Sequence, residues 1–306
     1  MRTPDVLTFG ESLVSLRSAG PLATGGTLTT HVAGAEANVA IALARLGHRS
    51  AWVGRVSTDE LGEFVLRQLR GEGVDTGGVV RDAERSTGLM FLERRTADLT
   101  RVQYRRAGSA GSALTVDDLR APLAAGARVL HLTGITPALS PSAREATAWA
   151  AKSAGIPVCL DVNYRARLWS RDAARAVLAP LAAHASIVVA SDDELDLVGD
   201  VDTLLRQGAD AVLVKLGAAG ARAHTRDGVH HAGALTVTAV DTVGAGDAFT
   251  AGYLSGRLDG LDVDGCLRRA VTLGAFAVST SGDWEGLPRR DELSMLDNHE
   301  TGSTIR

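Results

Sequence analysis

The sequence predicts an α/β protein: a doubly wound, mostly parallel sheet with helices on both faces, joined to a small separate β-sheet. Three observations carry this. From residue 127 onward, short β-rich runs alternate with helical segments, a pattern that implies parallel strands linked by right-handed crossovers. Nearer the N-terminus, four strand-like segments fall in two regions with no helix between the members of either pair. The length of 306 residues, with 45% hydrophobic residues and a mean hydropathy of +0.06, suits a large α/β unit with a substantial core.

Taken in order, Val6–Phe9 reads as a core strand. Segments 12–17 and 28–32 alternate as half-exposed strands do. A helix is expected from about Ala35 to Leu46, ended by Gly47. Segments 86–94 and 100–106 again read as exposed strands. The strands of the alternating part are Val129–Leu132, Val158–Val162, Ile187–Ala190 and Val212–Leu216, with amphipathic segments near 141–154, 171–184 and 193–206 between them. A last helix is expected over Ala248–Leu258, and the polar tail 291–306 is expected to fray. The main α/β domain is thus assigned to 1–11, 33–84 and 109–306, and the small sheet to 12–32 and 85–108.

Composition narrows the function. A net charge of −4 gives no support for nucleic-acid binding. Nearly all positive charge is arginine, since Lys152 and Lys215 are the only lysines, so each arginine is a candidate for fixed, bidentate anion binding. Cys159 and Cys266 suit a reducing compartment, and Cys159, inside Val158-Cys159-Leu160, reads as a buried thiol. The histidines show no metal-ligand spacing. Arg2, Pro4 and Asp5 precede only a short apolar run, unlike a signal peptide, and no apolar stretch has the length of a membrane span. A soluble, cytoplasmic protein is expected.

The most informative stretch is Asp241-Thr242-Val243-Gly244-Ala245-Gly246-Asp247-Ala248-Phe249. Backbone N–H groups of such a glycine turn at a helix start make an anion hole. A carboxylate at its rim would compete with the anion unless Asp247 removes a proton while the backbone stabilises charge on a transferring group. The stretch therefore reads as a phosphoryl-transfer site; a tight turn with Asp247 as a helix cap is the plainer alternative.

Other constellations point the same way. In Ala33-Gly34-Ala35-Glu36-Ala37-Asn38, Gly34 lets a ligand approach the backbone and Asn38 is presented from the first helical turn. Tyr104 and Arg106, on a strand, share a face and offer a hydroxyl and a guanidinium to one ligand, which suits a carboxylate; an edge strand decorated with charge is the alternative. Asp161-Val162-Asn163-Tyr164-Arg165 would close a core strand with Asp161, Asn163 and Arg165 on one face, either as a site or as a buried Asp161–Arg165 pair. Lys215-Leu216-Gly217-Ala218-Ala219-Gly220 ends another strand in a turn that either wraps a nucleotide or forms a hairpin. There is no P-loop sequence and no dinucleotide fingerprint after the first strand.

Together the strings resemble the signatures of the PfkB (ribokinase-like) family of carbohydrate kinases over residues 6 to 290, with the strongest likeness in DTVGAGDAFTAGYL. Within that family the chain is similar to kinases of 2-keto-3-deoxygluconate, through Tyr104-Arg105-Arg106-Ala107-Gly108-Ser109-Ala110, His131 to Ser140, and Asp161 to Arg165 running on to Leu168-Trp169. The resemblance implies a ribokinase-like fold whose small sheet is a lid over the sugar. It implies a sugar acid held by Tyr104, Arg106, Ile135, Arg165 and Asp283, with Gly34 and Asn38 on its hydroxyls. Asp247 is the implied base beside Gly244, Ala245 and Gly246. ATP with Mg²⁺ would be held by Asn163, Arg165, Lys215, Leu216, Gly217, Ala218, Ala219, Gly220, Thr242, Gly244, Gly246 and Val271, and a monovalent cation such as K⁺ is a further candidate. A homo-oligomer could form through the lid; no nucleic-acid or membrane partner and no protein-bound metal site are expected.

Two details bear on the acceptor. Fructokinase-like relatives carry Asp where Gly10-Glu11-Ser12-Leu13-Val14-Ser15 has Ser15, so a pocket that loses an anion and gains Arg106 and Arg165 favours an anionic substrate. Met90 and Val271 depart from the family pattern of a lid tyrosine and an asparagine near the adenine. A kinase of fructose, ribose or a nucleoside, a non-catalytic sugar-acid or nucleotide sensor, and a nicotinamide oxidoreductase are the other readings.

Overall fold

The computed structural model describes residues 3–96 and 99–296. The chain runs β1 (Val6–Phe9), β2 (Leu13–Ser18), β3 (Leu28–Ala33), α1 (Ala35–Arg45), β4 (Ser50–Val53), β5 (Arg55–Ser57), α2 (Glu60–Gly71), β6 (Val80–Asp82), β7 (Leu89–Arg94), β8 (Thr100–Arg105) and α3 (Val116–Ala125). It continues with β9 (Val129–Thr133), α4 (Thr136–Leu139), α5 (Pro141–Ser153), β10 (Val158–Asp161), α6 (Arg171–Ala182), β11 (Ile187–Ser191), α7 (Val201–Gln207), β12 (Ala211–Lys215), β13 (Ala221–Thr225), β14 (Gly228–Ala232), α8 (Ala245–Leu258) and α9 (Val263–Val278).

The main sheet has eight strands in the order β14-β13-β12-β11-β10-β9-β1-β4. Its pairings are parallel from β4 through β12, and β13 and β14 complete an antiparallel edge. Successive side chains of a strand enter opposite cores. Ile187 and Val189 pack on the side of α1, α8 and α9, whereas Val188 and Ala190 pack on the side of α5 and α6. Burial on both faces is why these strands read as continuous apolar runs. The direction of winding reverses at β1, which has β4 on one flank and β9 on the other. Ligand crevices open at such a switch point, beyond the carboxyl ends of the strands.

A second sheet, ordered β3-β2-β7-β8, leaves the main body after β1 and again after β6. It is mixed: β2 pairs parallel with β7 and antiparallel with β3. Its own small apolar cluster consists of Leu13, Ala33, Met90 and Leu92, with Val102 against them.

Several sequence expectations are corrected. The helix expected over 193–206 is broken: a 3₁₀ turn at Leu195–Leu197 and α7 are separated by Gly199, whose φ is +123°. The strand expected to run through Val162 stops at Asp161, and Asn163 turns the chain with φ +40°. The strand carrying Tyr104 ends at Arg105, so Arg106 lies beyond it rather than on its face. The tail is pinned at its start: Arg290–Leu296 forms 3₁₀ turns, and Arg290 donates to the Leu46 carbonyl and to Asp259. Arg2 and tail positions 297–306 lie outside the described residues. Cys159 is buried as expected, and burial pushes its thiol pKa up. Among the described residues, no helix is long and apolar enough to cross a membrane.

Candidate active site

The switch point holds a cavity of 90 Å³ between the two sheets. Glu11 and Leu13 follow β1, Gly34 and Asn38 belong to the entry of α1, Met90 and Tyr104 come from the small sheet, and Gly244 and Asp247 from the start of α8. A wider cavity of 680 Å³ lies between β8 and loop 164–168. The two share Tyr104, Arg106, Ile135 and Arg165. The structure thus brings together all of the sugar-acid residues implied by the sequence, Asp283 and Asp247 among them, around the inner cavity.

Asp247 is the centre of the site. Asn38 Nδ2 donates to its Oδ2 at 2.8 Å, and Asn163 Nδ2 donates to its Oδ1 at 3.1 Å. Burial raises the pKa of this carboxyl above the ordinary carboxylate value, Asn38 and Arg165 opposing. Asn163 is the only non-glycine residue with positive φ among the described residues. Asparagine tolerates that conformation, and here it turns the amide toward Asp247. Both asparagines keep Oδ1 buried without a partner, as does Asp283 Oδ1. Such orphaned acceptors fit hydroxyl donors of a ligand.

α8 starts at Ala245; of its first four amides, Ala245 N donates to the Thr242 carbonyl at 3.4 Å and Ala248 N to the Gly244 carbonyl at 2.9 Å, which leaves those of Gly246 and Asp247 for a ligand. Gly244 precedes it with φ +77°, and a Cβ there would lie 2.0 Å from the Asp283 carbonyl oxygen. Gly244→Ala is therefore expected to destabilise by more than ~1–2 kcal/mol for the left-handed conformation alone, with overlap added. Urea unfolding checks the loss, and turnover is expected to fall with it.

Lys215 lies beside Gly246 and lines neither cavity. Its Nζ lies 3.1 Å from Asp161 Oδ1 and 3.3 Å from where a Cβ on Gly246 would sit. Burial opposes its charge, but Asp161 and Glu194 outweigh burial and raise its pKa. Asp161 also accepts from Thr250 Oγ1 at 2.8 Å, which ties β10 to α8. The Asp161–Arg165 pair considered as an alternative is thus replaced by Asp161–Lys215. Arg165 donates to the Tyr164 carbonyl and has no carboxylate ion-pair partner among the described residues. Lys215 itself faces Asp161, and Gly217–Ala219 forms an exposed 3₁₀ turn into the β13 hairpin. Thr242 is exposed, whereas Val271 is buried in α9; neither lines the two cavities.

One expectation about charge is corrected. Ser15, at the position where an anion was expected to be lost, lines neither cavity, and Glu11 of the same stretch places a carboxylate against Arg106, with Oε2 2.5 Å from Nη2. Sequence reasoning also missed Glu194, which accepts from Tyr164 N and Ser191 N and so fixes the loops after β10 and β11. It missed Glu36 too. This buried carboxyl accepts from Thr133 and Thr136, and burial pushes its pKa up to about 7. Only the first-turn position of Glu36 was visible in the sequence.

Because Glu36 binds its proton more tightly folded than unfolded, its contribution favours folding at low pH. That contribution is lost as pH rises from about 4.5 through about 7. Asp283, also pushed up to about 7 by burial, acts with the same sign. Glu36→Gln is expected to flatten the fall in stability across this window, as read by thermal unfolding at stepped pH.

Residues 4–290 match the family model described as pfkB family carbohydrate kinase. The chain is 37% identical over 308 residues to the 2-dehydro-3-deoxygluconokinase of Bacillus subtilis (strain 168), covering 95% of each chain. It is 36% identical over 304 residues to the protein of the same name from Thermoproteus tenax, covering 95% of this chain and 93% of that one. Among solved structures, an uncharacterized sugar kinase from Pyrococcus horikoshii in complex with ATP superposes with a TM-score of 0.82 at 30% identity, covering 95% of this chain and 97% of that chain.

Proposed function

This chain belongs to the pfkB family of carbohydrate kinases, and from that premise we propose that it phosphorylates the terminal primary hydroxyl of 2-keto-3-deoxy-D-gluconate. The carrying observation is the placement of Asp247, held by two asparagine amides, at the base of a cavity walled by Tyr104, Arg106 and Arg165. The names of the two relatives agree with a sugar-acid acceptor.

In this reading Asp247 accepts the proton of the attacking hydroxyl. Asn38 and Asn163 fix both of its oxygens, so that the carboxylate is aimed before the acceptor arrives. The amides of Gly244, Ala245 and Gly246 face the charge that develops. Lys215, half-buried and charged beside Gly246, adds positive charge next to that hole. MgATP, when bound, supplies the phosphoryl group and the neutralising cation. The Gly246 and Asp247 amides of α8 fit its phosphates, while Asn163, Lys215 to Gly220, Thr242 and Val271 are the candidates for the rest of the nucleotide. Tyr104, Arg106 and Arg165 hold the sugar carboxylate; Gly34, Asn38, Ile135 and Asp283 line the path of its carbon chain.

Segments 12–32 and 85–108 act here as a lid whose closure excludes water, which otherwise competes as acceptor. The edge strands β3 and β8 are where a second copy could pair. Two free, buried thiols suit a cytoplasmic enzyme. Phosphorus–proton NMR of the product tests the regiochemistry: coupling of the phosphate to the terminal methylene is expected, and coupling to a secondary carbon would contradict it.

A further inference from the structure

The Glu11 side chain is wholly buried, with 0% exposure, above the inner cavity. Oε2 lies 2.5 Å from Arg106 Nη2, and Oε1 accepts from Ser109 Oγ. Two segments of the chain leave a hollow for it. A Cβ on Gly88 would lie 2.7 Å from Glu11 Oε1, and a Cβ on Gly111 would lie 2.4 Å from Glu11 Cγ. Backbone on both sides of the Tyr104–Arg106 stretch is thus shaped around one carboxylate. A buried ion pair is a poor way to gain stability, since desolvation offsets much of the attraction. Its better-attested use is to fix one arrangement. Arg106 Nε, on the same edge as Nη2, is buried without a partner, and Glu11 Oε2 accepts no well-aligned hydrogen bond, so the two groups meet as a close charge pair and the opposite end of the guanidinium, at Nη1, is not taken up by Glu11.

Resting on the sugar-acid reading above, we propose that Glu11 is a positioning residue: it fixes Arg106 over the cavity and cancels its charge. Arg106 then acts as an oriented hydrogen-bond donor, while Arg165, which lacks an ion-pair partner among the described residues, supplies the net positive charge that selects an anion. The pair is also a specificity device, because a neutral roof does not hold the acid by charge alone.

The experiment is a double-mutant cycle on the full enzyme with saturating MgATP, reading KM and kcat for 2-keto-3-deoxygluconate and for its neutral analogue with a primary alcohol in place of the carboxylate. Glu11→Ala is expected to raise the sugar-acid KM about tenfold with kcat nearly unchanged. Adding Glu11→Ala to Arg106→Ala is expected to change KM by less than about twofold, since the residue acts through its partner. Equal effects with and without Arg106 would overturn the proposal. Should Glu11→Ala fail to fold, Glu11→Gln decides. It keeps an acceptor for Arg106 while exposing the positive charge, so preference for the acid over the neutral analogue is expected to rise about threefold or more. Unchanged or reduced preference would overturn it. If the wild-type enzyme turns over only neutral sugars, the sugar-acid reading fails. The cycle run with the preferred sugar then still reports whether Glu11 and Arg106 are coupled.

Discussion

Asp247→Asn is expected to lower kcat by at least ~10² while KM for both substrates changes little, on the usual scale for a positioned base. The change keeps the size of the side chain and removes the group that takes the hydroxyl proton. It also replaces one of two acceptor oxygens with an amide, so either Asn38 or Asn163 must turn to avoid a donor facing a donor. Thermal unfolding of the variant separates that local cost from loss of chemistry. The pH dependence gives an independent signature. The base must be ionised to act, so kcat in the wild type is expected to rise with pH through a step above the ordinary carboxylate range, because burial raises the Asp247 pKa. The step is expected to vanish in Asp247→Asn. A variant that keeps near-full turnover would remove Asp247 from the mechanism.

Arg165→Ala is expected to cost kcat/KM for the sugar acid roughly ten- to hundredfold, the loss of one charge-assisted bond worth about 1.5–3 kcal/mol. Arg106→Ala acts in the same direction and less strongly, because Glu11 already takes up its charge. Neither is expected to harm a neutral acceptor to the same degree. Arg165 also lowers the Asp247 pKa through space, so its removal shifts the kcat step to higher pH. Steady-state kinetics with the acid and its neutral analogue, across pH, read both effects. Sugar-acid KM values unchanged in both variants would argue for a neutral sugar as the acceptor.

The parts of this molecule that sequence reasoning reached share a cause. The central strands are buried on both faces, so Val158 to Leu160 and Ile187 to Ala190 spell themselves as apolar runs. The glycine turn that opens α8 is local in sequence, and Gly244, Gly246 and Asp247 are all within one turn. What was not legible depends on distant partners. α2 is an exception, since its Asp59 cap and its buried stripe of Gly62, Val65, Leu66 and Leu69 are plain in the sequence. Asn38, Asn163 and Asp247 come from three separate elements, and nothing in their spacing says that two amides converge on one carboxylate. Glu11 shows the same limit more sharply. Nothing beside Gly10 marks it for burial, and only the return of the chain at Arg106 and Ser109 explains it.

The most direct test of the account is a coupled ADP-release assay with MgATP and five acceptors: 2-keto-3-deoxygluconate, its galactonate epimer, fructose, ribose and adenosine. Strong preference for the two sugar acids is predicted, with 2-keto-3-deoxygluconate favoured. Turnover confined to fructose, ribose or adenosine would leave Asp247 and the anion hole in place but contradict the assignment of Tyr104, Arg106 and Arg165 to a substrate carboxylate.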